Sequence, residues 1–316
     1  RHDPPPTGAK PMSGVRDMFG RIAGAARQAV DGAGGFTLLE LSEFGTGGNR
    51  FVLEAAMRAR CQTVTIDPHT VLCRILGRFK FLVDSRDIGL APHLMLDGYW
   101  EFWATEFIAR TLRPGQVAWD VGANLGYYAV LMSAIVGPQG KVRAVEPNPR
   151  LALLCGRNLS LNGFWDRSSV HRQAVADRSG QTLRFRADIT DPKNGRLLPP
   201  GTPPQVEQDD VLEVAVQTVS LDDLAEERVD FIKIDVEGAE EQVWAGMQRM
   251  LDRNPGLRAD GVQRAACVDA PGTLAQIARR FPLRELGYDA QLHEVTPETI
   301  MGRQEDTLLV LANRAL

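Results

Sequence analysis

VAWDVGANLGYYAV, Val117 to Val130, carries two hydrophobic rhythms separated by a glycine-broken turn. A strand runs to Asp120, Gly122 and Gly126 permit a tight turn, and Leu125, Tyr128, Ala129, Met132 and Ile135 then mark one apolar face of a helix over 125–136. A strand, turn and helix of this kind bring backbone close to a ligand. A nicotinamide dinucleotide fingerprint needs G-x-G-x-x-G, but the second and third glycine positions here hold Asn124 and Tyr127. The pyrophosphate reading therefore loses its main support.

The alternation continues downstream. KVRAV, a helix over 149–162, SSVHRQAV, VDFIKID and a helix over 239–251 follow one another, and a helix at 273–280 with strands at 288–294 and 307–312 completes the series. Strands and helices in this order predict an α/β domain over 114–316, a parallel sheet with helices on both faces. Residues 191–210 interrupt it. Their five prolines and two glycines are incompatible with a sheet interior and predict a mobile surface loop between two strands, placed to order over a pocket. Upstream, 1–35 reads as a Pro/Gly-rich tail with a helix over 15–30. Residues 36–113 read as an N-terminal subdomain with helices at 50–60 and 99–112 and a strand pair around FKFLVDSRD, 79–87.

The 316 residues are 44% hydrophobic and 24% charged, enough for a sizeable core, and the formal net charge of -4 supplies no global positive field for nucleic acid. Cys61, Cys73, Cys155 and Cys267 lie far apart, which suits reduced thiols and a cytoplasmic protein better than a zinc module. No apolar run reaches the roughly 18 residues of a membrane span, and the first residues contain no signal-peptide core.

Two further strand ends carry acid. Glu146, in VRAVEPNP, lies 26 positions after Asp120, close to the spacing at which a carboxylate meets ribose hydroxyls, so a nucleoside without pyrophosphate fits the turn. Asp235 and Glu237, in VDFIKIDVEGAE, stand at the sheet edge where open α/β folds hold their ligands. The competing structural reading makes Glu237 and Glu240 a negatively charged helix N-terminus.

RFKFLVDSRD, DGYWEFWATEF, DVGANLGYYAV, AVEPNP, NLSLNG, TVSLDDL and FIKIDVEGAE, in that order over roughly 70–250, closely resemble the FkbM family of S-adenosylmethionine-dependent methyltransferases. The resemblance implies a class I Rossmann-like fold: a mostly parallel seven-stranded sheet with helices on both faces, preceded here by an N-terminal helical subdomain. It also implies S-adenosylmethionine as cofactor and methyl transfer to a hydroxyl of a small molecule or a glycan. Carried onto this chain, it puts Asp120, Gly122, Ala123, Asn124 and Gly126 around the methionine part and Glu146 on the ribose. Glu101 and Thr105 would close over the methionyl end, Asn148 would touch the adenosine, and Ala174 and Val175 would border the adenine. Asp235 and Glu237 would face the acceptor. One stretch departs from the family pattern: LRADGVQRAACVDAPGTL has Gln263 and Arg264 where an acidic residue is usual.

If the acceptor is a hydroxyl, a base accelerates its attack, with Asp235 the first candidate and Glu237 the second. Asp235 could equally hold a divalent cation, and the metal question stays open at this level. His93 is the one histidine near a cofactor motif, while Tyr99, Trp100, Phe102, Trp103 and Phe107 read as core packing before they read as a pocket wall. Two other classes compete: a non-catalytic S-adenosylmethionine-binding scaffold, and a nucleotide-dependent oxidoreductase weakened by the missing glycines.

Overall fold

The structure, a computed structural model, describes residues 37–45, 50–199, 201–203, 209–224, 228–260, 270–303 and 307–312. Contacts divide the chain after Leu38, and residues 39–316 form one unit with no break at 113/114. The expected tail and helix within 1–35 lie outside the described residues, as does the Gln263–Arg264 departure.

The N-terminal part of this unit mixes helix and sheet. Helices Leu41–Gly45 and Arg50–Arg60 precede an antiparallel sheet of β1 (Thr63–Asp67), β2 (Thr70–Ile75) and β3 (Phe79–Asp84), in the order β1-β2-β3. The FKFLVDSRD stretch thus forms one strand rather than two. Its partner is the upstream TVLCRI, and alternating burial on both strands packs one face inward. Helices Ala91–Leu96 and Phe102–Thr111 follow, where a single helix over 99–112 was expected. Gly98 at φ +76° and Glu101 at φ +37° break the run.

The remaining strands are β4 (Val117–Val121), β5 (Lys141–Val145), β6 (Ser168–His171), β7 (Ala174–Val175), β8 (Thr182–Asp188), β9 (Arg196–Leu197), β10 (Val211–Val219), β11 (Phe231–Ile234), β12 (Arg258–Asp260), β13 (Arg284–Leu286), β14 (Leu292–Glu294) and β15 (Leu309–Leu311). Eight of them make the main sheet, in the order β14-β13-β15-β12-β11-β4-β5-β6. The expected count of seven is exceeded because β13 inserts between β14 and β15. From β12 to β6 all pairings are parallel, and β15, β13 and β14 are joined antiparallel.

The alternation of side chains divides two cores across this sheet. Ala118, Val142, Ala144 and Phe231 face helices Phe102–Thr111, Tyr127–Val136 and Pro149–Leu161. Trp119, Val121, Ile232 and Ile234 face Val243, Trp244, Leu274 and Ile277. Eight of the ten residues of Tyr127–Val136 are buried, and each large apolar side chain among them contributes about 1.5–3 kcal/mol by leaving water.

Two expectations over 176–251 need correction. The helix read over 239–251 is two helices, Glu240–Ala245 and Gln248–Arg253. They part at Gly246, where an added Cβ would lie 2.3 Å from the Ala176 carbonyl oxygen and whose own carbonyl accepts from the Asp222 N–H. The Pro-rich 191–210 stretch does join strands β8 and β10. Part of it is nonetheless sheet, because β9 adds to the edge of β8 in a four-stranded sheet of order β7-β10-β8-β9. A two-residue edge strand escapes the proline penalty, since Arg196–Leu197 contains none. Residues 200 and 204–208 lie outside the described set.

Candidate active site

Strand connections leave β4 in one direction toward β5 and β6, and toward β11 and β12 in the other. A crevice opens at the carboxyl ends of β4 and β11, where open α/β sheets hold ligands. Its cavity measures about 280 Å³.

Gly122, at φ +76°, forms the floor of the first turn. A Cβ there would sit 1.6 Å from the Asp235 carbonyl oxygen, so the loops after β4 and β11 touch at a point only glycine allows. The Gly122 and Ala123 N–H groups both donate to the Val145 carbonyl. Asn124 follows at φ +51°, and Gly126 at φ +88° opens helix Tyr127–Val136 against Cys155. Gly122, Ala123 and Asn124 line the cavity, and Gly126 stands behind them.

Glu146 stands on the opposite side of this turn, 5% exposed. Its Oε2 accepts from the Asn124 N–H and its Oε1 from the Asn148 N–H, each at 2.8 Å. Burial raises its pKa to about 7 despite these two amides, and Asp120 adds to the rise. Each oxygen keeps a second acceptor lone pair, and Glu146 lines the cavity, which suits a pair of hydroxyl donors. Ala174 and Val175, in β7, border the same side.

Three expected contacts lie off the cavity wall. Asn148 is 2% exposed, and its Oδ1 caps helix Pro149–Leu161 by accepting from Arg150 and Leu151. It therefore serves Glu146 through its backbone N–H. Thr105 is fully buried, with Oγ1 3.0 Å from the Tyr127 hydroxyl and donating to the Trp100 carbonyl, so it braces Tyr127 from behind. Asp120 is also fully buried, and burial lifts its pKa to about 6 against the pull of Lys233. Neither of its carboxylate oxygens has a hydrogen-bond partner at ordinary geometry among the described residues.

The wall at the β11 end is built from side chains. Lys233 pairs in register with Asp120 across β11 and β4, and its Nζ donates to Asp235 Oδ2 at 2.9 Å. The same Nζ lies 4.8 Å from the centre of the Tyr128 ring. Burial alone would depress the lysine pKa, but Asp235, Asp120 and Glu101 hold it above its ordinary value. The Tyr128 hydroxyl in turn donates to Glu101 Oε2 at 2.9 Å. Burial raises the Glu101 pKa, as does Asp235, while Lys233 and Tyr128 pull it back. Glu237, at φ +51°, also lines this wall. Glu240 stabilises that strained loop, since its carboxylate accepts from the Val236 and Gly238 N–H groups at 3.2 and 3.0 Å. The carboxylates at 237 and 240 therefore divide between the cavity and the loop.

Sequence reasoning missed Lys233, whose signal was a lysine inside the otherwise apolar FIKI strand. Pro192, Lys193, Asn194 and Gly195, from the segment expected over the pocket, line the cavity, as does Trp100, the one member of the aromatic cluster that does so. His93 is outside the lining, near Asp97 and Trp100. Among the described residues no group of three or more His, Cys, Asp or Glu side chains is gathered as a metal site, and no helix is long and apolar enough to cross a membrane.

Residues 120–263 match the family model described as the methyltransferase FkbM domain. A protein-L-isoaspartate O-methyltransferase of Korarchaeum cryptofilum is 39% identical over 84 residues, 24% of this chain and 37% of that protein. Another, of Methanothrix thermoacetophila, is 32% identical over 97 residues, 28% of this chain and 46% of that protein. The chain thus spans less than half the length of these curated relatives. The solved methyltransferase FkbM of Methylobacillus flagellatus is 15% identical, with a TM-score of 0.39 over 69% of this chain and 52% of that one. The glycine turn, Glu146 and the β11 loop all fall inside the segment that matches the methyltransferase FkbM domain.

Proposed function

We propose that this chain transfers a methyl group from S-adenosylmethionine to a hydroxyl oxygen of a small molecule or a glycan. The observation that carries the reading is a single cavity with two unlike walls: a buried carboxylate held by backbone amides, and an Asp235–Lys233 ion pair.

The residues present suit the cofactor. Glu146 would accept from the ribose hydroxyls, the Gly122–Asn124 turn would admit the methionine part along a backbone without Cβ atoms at its closest point, and Ala174 and Val175 would flank the base. When bound, S-adenosylmethionine supplies an activated methyl. The protein's share is to align an acceptor, exclude water and receive a proton. Asp235, 30% exposed on the cavity wall, is the proton acceptor in this reading, and Glu237 beside it orients the acceptor. With Asp235 engaged by Lys233, the metal-free version is favoured.

Isothermal titration with S-adenosylmethionine, followed by transfer of labelled methyl to a panel of hydroxyl acceptors with and without EDTA, tests the reading. Asp235→Asn should lower turnover roughly 100-fold or more while leaving cofactor affinity within about threefold. Equal losses in both quantities would move Asp235 to the cofactor. Binding without transfer to any acceptor would favour the scaffold alternative, and NAD binding in place of S-adenosylmethionine would favour an oxidoreductase. An isoaspartyl carboxylate, the acceptor named in the curated relatives, ranks second because such an anion would enter beside Glu101, Asp235 and Glu237.

A further inference from the structure

Lys233 has a bland explanation, which is to neutralise Asp120, its in-register neighbour on β4. The geometry argues for more. Asp120, fully buried, takes no hydrogen bond from the lysine, which extends past it to the cavity wall and donates to Asp235. A purely structural counter-ion would satisfy the deeper carboxylate, where desolvation is worst. The ammonium instead lies where Asp235, the Tyr128 ring and Glu101 converge, and it borders the cavity although only 7% of its side chain is exposed.

We propose that Lys233 is a further catalytic residue, donating a hydrogen bond from its ammonium to the acceptor oxygen beside Asp235. This rests on the hydroxyl-methylation reading above. An ammonium has three donors, and the structure directs one to Asp235, so the group can hold the carboxylate and the acceptor oxygen together. The donated bond lowers the proton affinity of the hydroxyl and fixes its lone pair, a task a divalent cation can also perform. The balance is simple: a carbon–oxygen bond forms, the carbon–sulfur bond breaks with its electron pair left on sulfur, and the hydroxyl proton passes to Asp235. Lys233 stays an ammonium throughout.

The test compares Lys233→Met and Lys233→Arg in the full chain. Removing one preorganised donor to a developing oxyanion costs about 100-fold or more in kcat. Lys233→Met should show that loss with S-adenosylhomocysteine affinity unchanged within threefold and with the rising, low-pH limb of transfer moved to higher pH. Lys233→Arg, which keeps charge and donors, should recover part of the rate. EDTA should leave the wild type unaffected. Near-wild-type kcat in a folded Lys233→Met protein overturns the proposal, as does an equal loss of S-adenosylhomocysteine binding, which marks a structural role. If Lys233→Met does not fold, a Lys233→Arg protein with wild-type folding but a rate as low as Asp235→Asn also overturns it. The methylation reading fails separately, when the wild type binds no S-adenosylmethionine or transfers only to nitrogen or carboxylate. In that event ¹⁵N-lysine NMR on the unliganded chain still judges Lys233. Loss of its proton below about pH 10, under the ordinary lysine value, would overturn the ammonium role, and charge persisting above that pH would sustain it.

Discussion

Glu146 and Asp235 stand at the ends of neighbouring strand pairs and face one cavity, yet they are held in opposite ways. Glu146 is gripped by two backbone N–H groups and, among the described residues, has no ion-pair partner, so burial keeps its proton affinity high against the weaker pull of Lys233. Asp235 leans on a lysine and stays partly open to the cavity. A backbone-held acid is fixed to a fraction of an ångström and suits a ligand that is always the same. A side-chain-held acid can change partner during a reaction.

The most damaging way to break the contrast is Gly122→Ala. The new Cβ would meet the Asp235 carbonyl at 1.6 Å in a backbone conformation already unfavourable for alanine. A cost of about 3 kcal/mol or more is expected, seen as a lowered denaturation midpoint together with lost cofactor binding. Glu146→Ala comes next. Two charge-assisted hydrogen bonds at about 1.5–3 kcal/mol each imply at least tenfold weaker S-adenosylmethionine binding by calorimetry. An unchanged dissociation constant in a folded variant would remove Glu146 from the site.

The third test uses pH. The folded-state pKa of Glu146 is raised from 4.5 to about 7, so the folded state holds the proton longer than the unfolded chain does. Stability is therefore highest below about pH 4.5 for this group and is lost as pH rises toward 7, by an amount on the order of 3 kcal/mol. Asp120, raised to about 6, adds to the loss over a lower and overlapping window. Urea denaturation at pH 5 and pH 8 should show Glu146→Gln flattening the slope, and cofactor affinity should rise with pH in the wild type alone. The smallest expected effect is Thr105→Val, which removes the side-chain hydrogen-bond partner of the Tyr127 hydroxyl. It should cost about 1–2 kcal/mol of stability and shift S-adenosylmethionine affinity by less than about threefold. A larger affinity loss would return Thr105 to the cofactor wall.

The same division explains what was legible in the sequence. The glycine turn, Glu146 and the parallel core could be read because backbone geometry leaves local marks: glycines at positive φ, periods of two and of 3.6, and an acid at a strand end. Lys233 could not. Its function depends on Asp120 lying opposite and Tyr128 lying above, and these residues are about a hundred positions away in sequence. The family resemblance places Asn148 and Thr105 at the ligand, but a cap and a buried hydroxyl bond use up their side chains. The break at Gly246 was equally hidden, since it depends on the distant Ala176 backbone. Strand β9 was masked by the prolines around it.

The contact between Gly122 and the Asp235 carbonyl has a consequence for how such a protein can diversify. The two loops that meet there are keyed to each other, so neither accepts a bulkier residue or an insertion without displacing its partner. New acceptor preferences would have to arise at the rim, in Pro192–Gly195 and around Trp100, where the chain meets the cavity without supporting the joint. Exchanging those rim segments between relatives should therefore transplant selectivity, whereas shuffling the two keyed loops should yield only inactive chimeras.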